Sequence, residues 1–393
     1  SVSGLGSEVV FLIIIMLCMG TAVERTGLDR RFTFYVLSKS KGNSRKTIFY
    51  IIFIAFLLTF FIPNGMARLS VLLPISLGLI ETLKEEKDSH FNTAIILAIT
   101  YVPWICTVLL ITGANGSIYA ASLFENMIGF EWSYLHWLVV MLPSIIFSLL
   151  GLWIILIMLF PPKHKVITSG QLYIENNIKQ LGKIKKPELK LIVLYLSLIL
   201  LWLTKGLHGM SIAMSACLIG VLIFFPGIDL IKWKDAMRSI NWGIPLLFAA
   251  GFSIASAFEG SGLIIWLSDI AKSALMNLPA SLLAITIMVM FVIIRIGFTH
   301  FAAMIAALLP VSLTFALATP YNPVWIGMIC VVASTMAYIF PTQSISNMTT
   351  FALGYYRSSD MIKAGSLLTM LIIILTLIFA YWYWPLVGIP IKQ

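Results

Sequence analysis

The sequence predicts an all-α polytopic membrane protein, built as an inverted-topology repeat with two re-entrant hairpins and two unwound transmembrane helices. Of its 393 residues, 60% are apolar and 11% are charged, whereas soluble proteins carry about 25% charged residues. Apolar runs of about 20 residues, the length at which a helix crosses a bilayer, recur along the whole chain. Short motifs also recur about 235 residues apart, which indicates an internal duplication.

The basic residues predict how the chain is threaded. They cluster after the first apolar run and throughout residues 161–190, so both segments are predicted to be cytoplasmic. If these two segments are cytoplasmic, only Lys205, Lys272 and Lys392 fall on the opposite side of the membrane. Arg68 and Arg295 lie within apolar segments. The net charge of +10 therefore reflects membrane orientation, and nucleic acid is not a predicted partner. We expect a multi-pass protein of a bacterial plasma membrane, in contact with the lipid bilayer.

Two segments, 47–83 and 281–318, each contain a pair of apolar arms around a polar turn. Each arm of the first pair has only about 16 apolar residues, which is short for a full crossing. The turn Pro63-Asn64-Gly65 is also followed closely by Arg68. These features predict re-entrant hairpins instead of pairs of complete spans.

Three pairs of matching motifs, each separated by nearly the same number of residues, indicate the repeat. They pair Glu24-Arg25-Thr26-Gly27-Leu28 with Glu259-Gly260-Ser261-Gly262-Leu263, Leu72-Leu73-Pro74 with Leu308-Leu309-Pro310, and Asn115 with Asn347. In the predicted threading the two copies begin on opposite sides of the membrane, an architecture typical of secondary transporters. The predicted units are 1–160 (first repeat, with hairpin 47–83 and broken helix 91–124), 161–190 (basic linker), 191–240 (scaffold helices and a cytoplasmic loop) and 241–393 (second repeat, with hairpin 281–318 and broken helix 324–355).

Such transporters place their site where broken helices of both halves meet near the midplane. All 16 acidic residues lie at or outside the ends of the apolar runs, so a carboxylate-based site is not expected there. Helix N-termini and neutral side chains would instead direct hydrogen-bond donors at one point, which suits an anion. The predicted substrate-binding residues are Asn64, Gly65, Asn115, Thr299, His300, Ser346 and Asn347.

Neutral oxygens at the same breaks could also coordinate sodium without any carboxylate. The sequence allows this coupling ion but does not require it, and it indicates no other metal and no cofactor. The four cysteines are single residues inside apolar runs, which is typical of small core residues. The predicted cation-binding residues are Asn64, Thr112, Gly113, Asn115, Gln343, Ser344 and Asn347.

Arg68 and Arg295 lie within the predicted hairpins, where a cation needs a partner or a water-filled cavity. Each could contribute to the electrostatics of the site, but pairing of Arg68 with backbone carbonyls and a structural role for Arg295 are the favoured interpretations. His300, at the second hairpin tip, is either an anion contact or a hydrogen-bonded packing residue.

Several motifs together resemble the divalent anion/sodium symporter (DASS) family. The stretch Pro341-Thr342-Gln343-Ser344-Ile345-Ser346-Asn347, followed by Asp360-Met361-Ile362-Lys363-Ala364-Gly365, is similar to the family's second unwound helix and the loop after it. Further similarity lies in Leu246–Gly251 leading to Glu259–Leu263, and in Pro63–Pro74. The hairpin tips of that family usually read Ser-Asn-Thr, whereas here they read Asn64-Gly65-Met66 and His300-Phe301-Ala302.

The resemblance implies a homodimeric carrier whose transport unit moves against a scaffold, as in an elevator. It implies small divalent or trivalent anions as substrates, namely C4-dicarboxylates, citrate or sulfate, with cation coupling. It also implies about three helices before the position of residue 9. An anion channel or an arsenite-type permease of the same superfamily is the open alternative. A membrane-embedded enzyme would need intramembrane acidic or histidine pairs, which the distribution of acidic residues disfavours.

Overall fold

The fold of the described residues is helical, as the sequence predicts. A computed structural model describes residues 8–82, 90–164, 168–240, 242–243, 245–247, 249–250 and 278–392. Six helices in these ranges are long and apolar enough to cross a membrane, judged by length and composition. The α-helices are α1 (Glu8–Thr26), α2 (Leu28–Leu37), α3 (Ser44–Leu58), α4 (Gly65–Thr82), α5 (His90–Ile105), α6 (Asn115–Ile128), α7 (Tyr134–Leu159), α8 (Thr168–Leu181), α9 (Lys186–Leu203), α10 (Lys205–His208), α11 (Ile212–Leu222), α12 (Trp233–Ser239), α13 (Ala280–Ile294), α14 (Phe301–Leu317), α15 (Pro323–Ala333), α16 (Ile345–Phe351) and α17 (Ser358–Ile378).

Helices α5 and α15 form the centre of the molecule. Every residue of α5 after His90 is buried, and so is every residue of α15. Helices α3 and α4 pack against α5, while α13 and α14 pack against α15. Their nearly continuous apolar sequences suit an environment without water on any side, and here protein provides it. Each central helix thus packs against one pair of flanking helices.

Both central helices end in non-helical segments at the predicted breaks. After α5, two short 3₁₀ turns lead to Ala114, which is extended (φ −159°, ψ 157°). After α15, the chain leads through a 3₁₀ turn to Ser344, which is extended in nearly the same way (φ −155°, ψ 155°). Helices α6 and α16 begin at the next residue in each case. The two breaks thus share one backbone conformation.

The predicted hairpins correspond to α3 with α4 and to α13 with α14. Their arms do not all have the short length that the sequence indicated, since α4 (Gly65–Thr82) and the segment Ala280–Gly297 each have 18 residues and qualify as membrane spans by length. The re-entrant geometry and the inverted repeat therefore stay predictions. Most of the predicted span 241–258, and all of the motif copy at 259–263, lie outside the described residues.

The basic linker 161–190 contains a helix, α8, that the sequence analysis did not predict. It packs against α2 and α4. The guanidinium of Arg31 on α2 holds the end of the linker, because its Nε donates to Glu188 Oε2 at 2.8 Å and its Nη2 donates to Leu181 O at 3.0 Å. Glu188 is buried at the start of α9. This ion pair fixes the linker to the helical body.

Apolar side chains cover the outer surface of several helices. Large exposed hydrophobic residues occur along α7, α9, α13 and α17, for example Phe147, Leu200, Ile293 and Met370. A soluble protein rarely exposes apolar surface on this scale. These faces are suited to contact with lipid.

We expect Gly365→Ala to destabilise the protein strongly, because a Cβ there would lie 2.0 Å from the carbonyl oxygen of Tyr338. Backbone would have to move, and such overpacking costs about 1–3 kcal/mol or more. Gly151→Ala is the matched control, since its Cβ would meet only the end of the Leu371 side chain. Thermal unfolding in detergent should show a clearly larger loss for Gly365→Ala. Equal losses of stability in the two variants would contradict the close approach of α17 to the backbone of Tyr338.

Candidate functional site

Four connecting segments meet in the interior and define the candidate site. They are named the first tip (59–64, between α3 and α4), the first break (106–114, between α5 and α6), the second tip (295–300, between α13 and α14) and the second break (334–344, between α15 and α16). The following contacts show how these segments come together.

Arg68, in the first turn of α4, joins the first tip to the first break. Its side chain is fully buried. Nη1 donates to Ile62 O at 3.2 Å and to Gly113 O at 3.0 Å, and Nη2 donates to Pro103 O at 2.8 Å. Such charge-assisted bonds satisfy carbonyl oxygens that the interrupted helices leave open. The interpretation that Arg68 pairs with backbone carbonyls is confirmed.

The start of α4 also contacts the start of α16, which follows the second break. Ser346 Oγ lies 2.9 Å from Met66 Sδ and donates to it. Asn64 caps α4, because its Oδ1 accepts from Met66 N at 2.8 Å. Gly65 lies beside Pro103, whose oxygen would be 3.7 Å from an added Cβ. Of the predicted site residues, Asn64, Gly65 and Ser346 therefore come together here.

The start of α14, directly after the second tip, packs against the start of α6, just beyond the first break. A Cβ on Gly116 would lie 2.5 Å from the Phe301 ring and 3.2 Å from Ala302 Cα, so only glycine allows this approach. The short 3₁₀ turn Arg295–Gly297 lies against the 3₁₀ turn Pro341–Gln343 of the second break. All four segments are thus connected.

The first break is tightly folded and buried. A Cβ on Gly113 would lie 2.8 Å from Thr107 O, and Ser117 Oγ donates to the same oxygen at 2.9 Å. Thr112 and Asn115 are both buried. Asn115 Oδ1 has no hydrogen-bond partner within the described chain. It is an acceptor left open to a ligand.

The second break is held by amide side chains whose orientation follows from their partners. Gln343 Oε1 accepts from Ile339 N and Phe340 N, both at 2.9 Å. Asn347 Nδ2 donates to Ala337 O at 2.8 Å and to Phe340 O at 3.1 Å. Ser344 Oγ accepts from Asn347 N at 3.0 Å. Among the described residues, this leaves Gln343 Nε2 and Asn347 Oδ1 without partners.

These free atoms differ in character. The amide oxygens of Asn115 and Asn347 are acceptors, which can coordinate a cation. The amide nitrogen of Gln343 is a donor, and its oxygen is already occupied by two backbone N–H groups. Gln343 therefore presents a group suited to an anion, although the sequence analysis placed it among the cation-binding residues.

Thr299 and His300 lie at the second tip and are exposed. They are separate from the buried polar atoms just described, and their predicted substrate contacts stay predictions. Arg295, by contrast, is fully buried. Its Nη1 donates to Phe298 O, and its guanidinium lies over the Trp104 ring at 5.5 Å.

Several polar residues near the site were missed by sequence reasoning. Trp104 Nε1 and Tyr338 Oη are buried and have no partner in the described ranges. Thr100 Oγ1 donates to Thr350 Oγ1 at 2.9 Å, and Thr350 Oγ1 lies 3.0 Å from Tyr356 Oη. A tryptophan inside an apolar run, directly after Pro103, was the available signal.

Two cavities open toward this region from opposite ends of α7, a helix about 39 Å long. One, of about 380 Å³, reaches Ile111 of the first break and is lined at its mouth by Glu131. The other, of about 490 Å³, reaches Tyr356 and includes Arg357 and Lys363. The interrupted helices therefore lie between cavities at the two ends of the bundle.

Comparison with known proteins identifies similar chains. The family described as "Sodium:sulfate symporter transmembrane region" matches residues 1–389. A membrane protein of Cupriavidus necator is 24% identical over 99% of this chain and 77% of its own length. The sodium-dependent dicarboxylate transporter SdcS of Staphylococcus saprophyticus is also 24% identical, over 99% of this chain and 79% of its own.

Solved structures share the fold. The antimetabolite efflux pump MtrF of Neisseria gonorrhoeae superposes with a TM-score of 0.68 at 14% identity, covering 100% of this chain and 85% of its own. The YdaH transporter of Alcanivorax borkumensis, which has an unusual topology, gives a TM-score of 0.61 at 14% identity, covering 98% and 86%.

We expect Arg68→Gln to lower stability by about 3 kcal/mol or more, because three buried carbonyl oxygens lose a charged donor. The fraction that still folds should bind ligands with affinity close to that of the unchanged protein. Arg68→Lys should give an intermediate stability, since an ammonium cannot reproduce the planar fork. Unfolding temperature and ligand affinity, measured on the same preparations, separate these effects. Normal stability with lost affinity would contradict the structural role.

Proposed function

The chain belongs to the sodium:sulfate symporter family, and we propose that it is a secondary active symporter that couples sodium to the transport of a small divalent or trivalent anion. The family and the SdcS relative are transporters, not enzymes. One observation carries the proposal furthest: two interrupted helices and two hairpin tips meet at a buried cluster that contains both free acceptors and free donors.

Asn115 and Asn347 are proposed to bind the sodium ion. Their Oδ1 atoms are buried, lack partners in the described residues, and come from the first residues after the two breaks. Sodium is a hard cation that takes neutral oxygen ligands where no carboxylate is present. Thr112, Gly113 and Ser344 lie in the same breaks and are proposed to complete the oxygen shell. The Gly113 oxygen, which accepts from Arg68 Nη1, and Ser344 Oγ, which accepts from Asn347 N, would each bind the ion through a second lone pair.

The substrate is proposed to be a C4-dicarboxylate, citrate or sulfate. The named relatives support dicarboxylate or sulfate as the substrate class. Backbone N–H groups at the start of α6 and donors of the second break support an anion. Gly65, Thr299, His300 and Ser346 are proposed to contact it as the tips close.

The remaining assignments concern the assembly and its location. We place the protein in a bacterial plasma membrane as a homodimer, with the linker 161–190 cytoplasmic and residues 191–240 in the scaffold. The transport unit would carry the site between the two cavities by an elevator movement. The alternative is an arsenite-type permease or channel of the same superfamily, which the unusual tip Asn64-Gly65-Met66 favours. Counterflow of labelled substrate would occur only with a carrier.

We expect a dicarboxylate, citrate or sulfate to raise the melting temperature of the purified protein in sodium buffer but much less in potassium buffer. A ligand at about 100 times its Kd stabilises the folded state by about 2.7 kcal/mol. Succinate, malate, citrate, sulfate and arsenite form the panel, with succinamide as an uncharged control. Equal stabilisation in both buffers would contradict sodium coupling, and no response to any anion would contradict the proposed function.

We expect Asn115→Ala to lower the apparent sodium affinity by about tenfold, because it removes one buried oxygen ligand. Asn126→Ala is the matched control on the same helix, since the bond of Asn126 among the described residues is to Ser122, one turn away. The measurement is the sodium concentration that gives half-maximal stabilisation at fixed anion. An unchanged value in Asn115→Ala would remove this residue from the cation site.

A further inference from the structure

Arg295 is a buried cation with an unused binding edge. Its side chain is fully buried at the second tip, and only Nη1 has a partner, the Phe298 oxygen. Nε and Nη2 have no hydrogen-bond partner among the residues that the structure describes. In the same ranges no acidic side chain forms an ion pair with it. An ionised group left this way is costly in a low-dielectric interior.

Arg68 provides an internal comparison at the other hairpin. It is equally buried and its Nε also lacks a partner in the described residues, but both of its terminal nitrogens donate to carbonyl oxygens, three in total. Its bonds account for its position structurally. The bonds of Arg295 do not, because one carbonyl and an aromatic ring leave two of its three guanidinium nitrogens without a hydrogen-bond partner in the described residues. A structural role alone, which the sequence analysis favoured, therefore does not explain Arg295.

The unused edge has the geometry that oxyanions require. In a guanidinium, the N–H bonds of Nε and Nη2 point in parallel from the same side, so they can bind two oxygens of a carboxylate or sulfate together. Arg31 shows this mode within the same chain: its Nε and Nη2 bind Glu188 Oε2 at 2.8 Å and Oε1 at 3.2 Å.

Further unused donors come from the segments next to Arg295. Trp104 lies under the guanidinium at 5.5 Å, and its Nε1 is buried without a partner in the described chain. The second break lies against the turn that begins with Arg295, and Gln343 Nε2 on that break is likewise free within the described ranges. Three segments thus contribute N–H donors around one buried positive charge.

We propose that the Nε–Nη2 edge of Arg295 binds one oxyanion group of the transported substrate, with Trp104 Nε1 and Gln343 Nε2 as additional donors. This assignment rests on the proposed function and deepens it, because it names the positive charge that recognises the anion. The ligand chemistry is a carboxylate or sulfate group with two oxygens on one side. A second anionic group of the substrate would face the remaining donors of the two breaks.

The test is affinity and stability measured together in neutral detergent with no added lipid, so that lipid phosphate cannot occupy the site. The variants are Arg295→Gln, Arg295→Lys and Trp104→Phe, with Arg68→Gln as the matched arginine control. Ligands are succinate, sulfate and succinamate, the last of which carries one negative charge fewer than succinate.

We expect Arg295→Gln to weaken succinate and sulfate binding by about ten- to a hundredfold, as for a lost hydrogen bond to a charged group. The same substitution should weaken the binding of succinamate less, so the ratio of succinate affinity to succinamate affinity should fall. Without ligand its melting temperature should equal or exceed that of the unchanged protein, because an under-bonded buried charge is removed. Arg68→Gln should behave in the opposite way, with lower stability and retained affinity.

If Arg295→Gln binds succinate with unchanged affinity, the proposed function is not affected, whereas the assignment to Arg295 is overturned. A uniform loss of all three ligands with a lower ligand-free melting temperature would also overturn it, since that pattern indicates a structural residue. If Arg295→Gln does not fold, Arg295→Lys and Trp104→Phe decide: each should weaken succinate binding, and unchanged binding in both would overturn the assignment. If the unchanged protein binds none of the anions, the proposed function itself is contradicted.

Discussion

Backbone groups inside a bilayer have no water to bond with, so each interruption of a membrane helix must be repaired by protein. This constraint governs the centre of the molecule. Helices α5 and α15 are both interrupted where they are fully buried. Arg68 donates to carbonyl oxygens around the first break. Around the second break, Gln343 Oε1 accepts from backbone N–H groups and Asn347 Nδ2 donates to carbonyl oxygens. Without these side chains the interrupted conformation would be too costly to persist.

The same constraint separates structural polar atoms from those available to ligands. Every atom that repairs the backbone is already occupied, as Asn64 Oδ1 is in capping α4. Within the described ranges, the buried atoms at the breaks and tips that lack a partner are therefore informative, and they include oxygens of Asn115 and Asn347, and nitrogens of Gln343, Arg295 and, at Nε only, Arg68. One residue can do both, since Asn347 uses its nitrogen for the backbone and keeps its oxygen free. The two arginines divide the roles between them.

Sequence reasoning located the helices and the breaks because both leave local signals. Apolar runs give the helices, and Pro-Asn-Gly or Pro-Thr-Gln-Ser mark their interruptions. The partner of each side chain depends on packing between segments far apart in sequence, so no local pattern distinguishes Arg68 from Arg295. Trp104 was missed for the same reason, since its significance comes from lying under Arg295. Helix α8 was missed because its residues are polar and its helix is held by tertiary contacts with α2 and α4.

Charge balance offers a physical reason why the anion should promote sodium binding. Arg68 and Arg295 are both fully buried, and neither forms an ion pair among the described residues. The empty site therefore carries two positive charges, and a sodium ion bound alone would add a third, which is costly in a low-dielectric surrounding. A bound dianion offsets the two arginines. On the proposed assignments, sodium at Asn115 and Asn347 therefore binds favourably only together with the anion, which is the coupling that a symporter requires.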